Sequence, residues 1–363
     1  MINVWIKGYY GKNNFGDDAL LLKSIELLKN NIKSKDLELY VDLPHEACQH
    51  FQVKKHEPAI KYDLVFYGGG TQFFSFFRLT FVNKVIYLLR SRDKFDLIKN
   101  HFKLRFKKPI KHLEAIVGQG VGPFIDQEKE SMAKAFYHKA ELVMIRDVTS
   151  KSYCDKWNVP CKEVPDLCFY GNMPILKDNL STNKKSLGVV LRDWEFDNGL
   201  YYQNIDGLID RLSISVYEVT YYLFSTNHDC KTEKILTDKG VNVIKWDSSK
   251  YSYQSFLTKL ASSKILITSR FHGAVYASLL GRPFITINID NKLKMFADLF
   301  NYDNSWNMID SLDELEQKMT KIESNYDEIV EISRSVKLEQ KKAWNESENE
   351  FREFLKKHEL ILQ

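Results

Sequence analysis

The sequence predicts an α/β protein: two Rossmann-like domains face a cleft, and a helical segment braces them at the C-terminus. Three observations lead there. Short apolar runs alternate with longer amphipathic stretches, which is the pattern of a parallel sheet with crossover helices. That rhythm stops near NMPILKDNLSTNKK (172–185), a stretch with linker composition, and then restarts. Glycines and charged residues collect just after the strands, where ligands meet an open parallel sheet.

The elements follow in order. INVWIK (2–7) reads as the first strand and DDALLLKSIELLKNN (17–31) as its helix, with Leu20, Ile25 and Leu28 near helical spacing. LELYV (37–41), DLVFY (63–67), EAIVG (114–118) and ELVMI (141–145) continue the first set of strands. SLGVVL (186–191), VTYYLF (219–224), VNVIKW (241–246), KILITS (264–269) and PFITIN (283–288) form the second set. From Leu312 onward, Leu315, Met319 and Ile322 keep helical spacing and predict a brace. Expected units are residues 1–175 and 176–311 as the two domains, and 312–363 as the helical tail. Two such domains around a cleft make a glycosyltransferase-B-like architecture.

Composition excludes several classes. The chain has 363 residues, 44% hydrophobic and 13% aromatic, with a net charge of +4. This is a soluble globular profile rather than a disordered or nucleic-acid-binding one. No apolar run reaches the roughly 18–20 residues needed for a membrane span. MINVWIKGYYG has no signal-peptide pattern, so a cytoplasmic location is expected. Cys48, Cys154, Cys161, Cys168 and Cys230 form no CxxC pair. They read as buried, reduced thiols, and no His/Asp cluster has metal-ligand spacing.

The loops carry the candidate chemistry. After the first strand, GYYGKNNFGDDAL brings Asn14, Gly16, Asp17 and Asp18 to a helix start, where they can bind a polar ligand or cap the helix. GGGTQFF (68–74), with Gly69 and Gly70, and GQGVGPF (118–124), with Gln119 and Gly120, read as two further glycine loops on the same sheet edge. The second half puts charge at that edge: Arg192 after SLGVVL, His228 in STNHD, and Arg270, Phe271, His272 and Gly273 after KILITS. Arginine offers paired donors to carboxylate or phosphate oxygens, and histidine trades protons near neutrality. An anionic small molecule fits that pattern.

In this order and spacing, GYYGKNNFGDDALL, YGGGTQFF, GQGVGPF, IRDVTS (145–150), PDLCF (165–169) and SRFHGAVYASLLGRPFITINIDNK (269–292) resemble the polysaccharide pyruvyl transferase family. The resemblance implies a glycosyltransferase-B-like fold. It also implies transfer of the pyruvyl skeleton of phosphoenolpyruvate onto sugar hydroxyls as a ketal, without a cofactor or metal. Arg270 and His272 match the family's R-[FL]-H element, which contacts phosphoenolpyruvate, with Phe271 where many members have leucine and Gly273 following. Arg192 stands where the family has another arginine.

The implied roles are proton transfer for His272, phosphate and carboxylate binding for Arg270 and Arg192 in either order, and a second acid/base candidate in His228. Asp17 and the first-domain glycine loops (Asn14, Gly16, Asp18, Gly69, Gly70, Gln119, Gly120) fall to the acceptor sugar or its deprotonation. The acceptor in such pathways is often lipid-linked. FFSFFRLTF (73–81) and the basic stretch 90–111 are therefore a candidate peripheral membrane contact. The alternatives are a nucleotide-sugar glycosyltransferase, with Asp290 as a ribose ligand, and a non-catalytic carbohydrate-binding protein of the same fold.

Overall fold

The computed structural model describes residues 1–33, 35–75, 112–174, 185–195, 200–300 and 306–361. The first sheet is built from β1 (Ile2–Lys7), β2 (Leu37–Val41), β3 (Lys54–Lys55), β4 (Leu64–Gly68), β5 (Thr71–Ser75), β6 (Glu114–Phe124), β7 (Leu142–Ile145) and β8 (Lys162–Glu163). Its order is β3-β2-β1-β4-β6-β7-β8, with β5 paired to β6. The second sheet holds β9 (Ser186–Leu191), β10 (Glu218–Leu223), β11 (Val243–Lys245), β12 (Ile265–Thr268), β13 (Phe284–Ile287) and β14 (Met308–Ile309), in the order β11-β10-β9-β12-β13-β14. Both are parallel, doubly wound sheets, and ligands of such sheets sit where the strand order reverses. That point is the β1/β4 edge in the first domain and the β9/β12 edge in the second.

The predicted strands fall where the apolar runs placed them, with one instructive difference. GQGVGPF is not a loop. It continues β6 and pairs with TQFFS of β5. The register against β7 shifts between Val117 and Gln119, and Gly118 there has φ of 71°. The glycines therefore serve a bulged strand rather than an open turn. Phe73 packs on Phe136, with ring centroids 4.9 Å apart, so the first aromatic of FFSFFRLTF belongs to the core. The rest of the candidate membrane contact, residues 76–111, lies outside the described residues, as do 175–184 of the linker. Among the described residues no helix is long and apolar enough to cross a membrane. All five cysteines are free. Cys48, Cys154 and Cys168 are buried as expected, Cys161 is half-buried and Cys230 is exposed.

The first helix, Phe15–Asn31, bolts the two domains together. Asn14 caps it by accepting the Gly16 N–H at 3.2 Å. The preceding chain then pairs with the second domain: Asn14 bridges Ser225, and the Phe15 N–H donates to the Phe224 carbonyl at 2.8 Å. Phe15 inserts into an aromatic nest of Phe224, Trp246, Phe256 and Tyr276, with centroids 4.7 to 5.2 Å away. Such contacts add to apolar burial by about 0.5–1.5 kcal/mol each.

The brace exists as drawn. Helix Tyr326–Lys357 starts on the second domain, where Lys337 donates to the Leu279 carbonyl at 2.8 Å. It ends on the first, where Glu348 and Arg352 hold Asn31 and Phe351 packs on Phe66.

Candidate active site

β12 is fully buried, and its chain turns sharply at Thr268. The Thr268 hydroxyl accepts the Arg270 N–H at 3.0 Å and donates to the Arg270 carbonyl at 2.9 Å. Arg270 is the N-cap of helix Phe271–Leu279, so Arg270 and His272 project from the strand end into the cleft. The Arg270 guanidinium donates to Asp229, which is 1% exposed and also accepts the N–H groups of Asp193 and Ser225 at 3.1 Å. Arg192, at the end of β9, turns its Nε to the Asp193 carbonyl at 3.2 Å and stacks over Trp194. Among the described residues no carboxylate lies within ion-pair distance of Arg192. Burial and the nearby Arg270 charge push its pKa down. Two such guanidiniums side by side favour an anion between them.

The first domain closes on this edge with Gly16 and Asp17. A Cβ on Gly16 would lie 2.2 Å from His272 Nδ1, so the imidazole occupies the space a side chain would take. Asp17 accepts from Asn14 Nδ2 at 2.7 Å and lies beside Gly70. Burial and the adjacent Asp18 raise its carboxyl to about 7, while Arg270, Arg146 and Lys292 pull the other way. A carboxyl poised near neutrality can accept or return a proton. Gly16→Ala is expected to abolish turnover, by about 100-fold or more, while the thermal midpoint falls by only a few degrees. Steady-state kinetics beside a melting curve checks this, and an active alanine variant would remove His272 from its place.

A further group lines the other side of His272. Arg146, at the end of β7, donates from Nη1 to Asp166 at 3.2 Å and from Nη2 to Thr71 at 2.8 Å, and its guanidinium covers the Phe271 ring at 4.4 Å. Lys292 pairs with Asp290 at 3.2 Å, and its pKa is lowered by burial. His272 is itself pushed down to about 4, first by burial and then by Arg146, Lys292 and Arg270, against the pull of Asp166. The imidazole is therefore neutral near pH 7. A cavity of about 500 Å³ lies on the Arg146 side, lined by Arg146, Asp166, Phe169, Phe271, Lys292 and Phe296 among others, and His272, Arg270, Arg192 and Asp17 are not part of its wall.

The structure thus gathers Arg192, Arg270, Phe271, His272, Gly16, Asp17 and Gly70. The other expected residues have different neighbours. Asp18 is 1% exposed and accepts from the Gly11 N–H and from Trp246 Nε1, both at 2.8 Å, tying the domains together. Asn14 is the helix cap. Gln119 is fully buried, beneath Tyr137. Gly69 packs on Leu20, Gly120 lies under Arg146, and Gly273 is pressed on Thr268. His228 stands on the exposed rim, 2.8 Å from the Tyr9 hydroxyl.

Arg146, Asp166, Asp229 and Lys292 were not assigned from sequence. Arg146, Asp166 and Lys292 lie in stretches that carry the family resemblance (IRDVTS, PDLCF and the end of 269–292) and Asp229 in STNHD beside His228, and ionised residues at strand ends are the signal that could have found them. Asp166, Cys168 and His272 offer ligand atoms within 4.8 Å of one another. The donor set suits a cation poorly, because Arg146 already neutralises Asp166 and burial holds the Cys168 thiol far up.

Comparison with solved structures places the fold. The chain aligns with a glycosyltransferase from Rickettsia africae at a TM-score of 0.60 and 10% identity, covering 98% of each chain. HepE from Anabaena, solved with UDP-glucose, gives 0.57 and 11%, covering 98% of this chain and 100% of that one. The UDP-GlcNAc 2-epimerase of Neisseria meningitidis, bound to UDP-GlcNAc, gives 0.56 and 11%, covering 92% and 93%. At such identities the likeness concerns the glycosyltransferase-B fold alone. No curated protein matches the sequence. The family model for polysaccharide pyruvyl transferase matches residues 14–291, from the helix cap at Asn14 to the residue before Lys292. The chain therefore belongs to the polysaccharide pyruvyl transferase family, a family of transferases.

Proposed function

We propose that this protein transfers the pyruvyl group of phosphoenolpyruvate to two hydroxyls of a cell-surface saccharide or its precursor, closing a pyruvate ketal and releasing phosphate. The observation that carries this reading is the meeting, across the cleft, of Arg270, Arg192 and His272 with Asp17. Phosphoenolpyruvate has a phosphate and a carboxylate, and two arginines can take one each. In the reaction a proton adds to the methylene carbon, making a methyl. One hydroxyl oxygen bonds to the adjacent carbon, the carbon–oxygen bond to phosphate breaks, and a second hydroxyl closes the ring. Of the two hydroxyl protons lost, one ends in the methyl group and the other on phosphate. His272 takes up a proton as the substrate's negative charge enters the cleft and delivers it to the carbon, and Asp17 takes the hydroxyl proton, so each faces the partner its domain binds.

Nucleotide-sugar transfer is the less favoured reading. Its candidate ribose ligand, Asp290, caps helix Asn291–Asp298 through the Lys292 N–H at 3.1 Å and pairs with the Lys292 amine, so its carboxylate is already engaged. The test is phosphate release from phosphoenolpyruvate with a panel of free and lipid-linked galactosides, mannosides and glucosides. Acceptor-dependent release, lost in His272→Ala, is expected. Binding of a nucleoside diphosphate without binding of phosphoenolpyruvate would move the assignment to glycosyl transfer. A lipid-linked acceptor met at the cytoplasmic membrane face through the remainder of the 73–111 stretch, residues 74–111, belongs to the same proposal. Flotation with anionic liposomes checks that part, and no binding by the intact protein removes it.

A further inference from the structure

We infer that Asp166 of the first domain is the positioning residue of His272 in the second, fixing the imidazole proton on Nε2 so that Nδ1 is the nitrogen offered to substrate. The inference rests on the proton-transfer role proposed for His272.

Neutral imidazole has one N–H donor and one acceptor, and the neighbour of one nitrogen decides which it is. His272 Nε2 is buried without a hydrogen-bond partner among the described residues, and Asp166 Oδ2 lies 3.8 Å away. A carboxylate only accepts, so a lone pair on Nε2 would face a negative oxygen, whereas a proton there faces an acceptor. The gap needs to close by about 1 Å to become a hydrogen bond. Nδ1 is on the other edge of the ring, against Gly16.

Asp166 is built to stay ionised and in place. Arg146 donates to Oδ2 at 3.2 Å and the Cys168 N–H to Oδ1 at 2.9 Å. Its carbonyl accepts from Trp344 Nε1 of the bracing helix at 2.9 Å. Burial alone would raise its pKa, but the Arg146 charge and the Cys168 N–H hold it below the ordinary value. The acid and the base belong to different domains, so the pair is complete only when the two domains are seated together. The first-helix bolt and the Tyr326–Lys357 brace both enforce that seating.

Asp166→Asn tests the idea with little change of shape. Oδ2 faces both Arg146 and Nε2, so the amide oxygen is expected to stay there while the loss of charge weakens its hold on the Nε2 proton. Nitrogen-15 spectra of histidine-labelled full-length protein, with His272→Gln to assign the signal, should show the proton on Nε2 in the wild type and a mixture of the two tautomers in Asp166→Asn. Turnover should fall about 10³-fold, with KM for phosphoenolpyruvate within about threefold. A wild-type imidazole protonated on Nδ1 would overturn the inference, and that reading needs no variant to fold. An Asp166→Asn protein with unchanged tautomer and turnover would overturn it as well. The spectra need no substrate, so they stand even if phosphoenolpyruvate proves not to be the donor.

Discussion

Arg270→Ala is expected to lower kcat/KM for phosphoenolpyruvate, the proposed donor, about 10³-fold, through the loss of paired, charge-assisted donors to an anion. The same change should weaken the fold. Asp229 is buried, and Arg270 is its only side-chain cation within ion-pair distance among the described residues. Removing that partner leaves a carboxylate held by two backbone N–H groups, at a cost of about 3 kcal/mol. The two effects separate experimentally. Arg270→Ala combined with Asp229→Asn should recover the thermal midpoint and not the activity. Arg270→Lys keeps the charge but not the planar fork, so it should retain stability better than alanine while kcat/KM falls about 10²-fold. Steady-state kinetics and melting curves on the four proteins decide it. Wild-type kcat/KM in Arg270→Ala would take this residue out of the donor site.

What could be read from the chain, and what could not, follows from the range of the interactions. Strands such as ILIT and VVL are announced by their own apolar side chains, because a strand buried on both faces needs nothing else. The charge at the end of ILITSRFHG is equally local, since ionised residues after a buried strand are costly without a partner or ligand. GQGVGPF misled because glycines are shared by turns and by bulged strands. Only the pairing partner TQFFS distinguishes the two, and that pairing spans residues with no visible link. Asp18 looked like a ligand at a helix start, yet its partner is Trp246 in the other domain. The Asp166–His272 approach is invisible for the same reason. Neither residue announces the other, and only the folding of two sheets around the cleft brings them within 3.8 Å.

Asp17→Asn is expected to have the other large effect, and pH separates its two parts. In the wild type the carboxyl ionises near pH 7 instead of its ordinary 3.8, because burial and Asp18 oppose its charge. If Asp17 takes the hydroxyl proton, kcat/KM should rise with pH through a limb near 7, since only the carboxylate is a base. Bound phosphoenolpyruvate brings negative charge beside it and raises its pKa further, so the limb in kcat should lie at higher pH than the limb in kcat/KM. The asparagine variant should lose about 10²–10³-fold in turnover and the limb with it.

Stability should move the opposite way. The folded state binds this proton more tightly than the unfolded chain does. The group's stabilising contribution is therefore complete below about pH 4 and is lost as pH rises through about 7. A shift of that size corresponds to at most about 4 kcal/mol, reduced to about 2 kcal/mol by the carboxyl's partial exposure. Asp17→Asn should then melt higher than the wild type at pH 8 and close to it at pH 4. A variant that kept the acid limb would assign the limb to another group. A variant less stable at pH 8 would mean that the cations of the cleft, Arg146, Arg270 and Lys292, need the Asp17 charge more than burial penalises it.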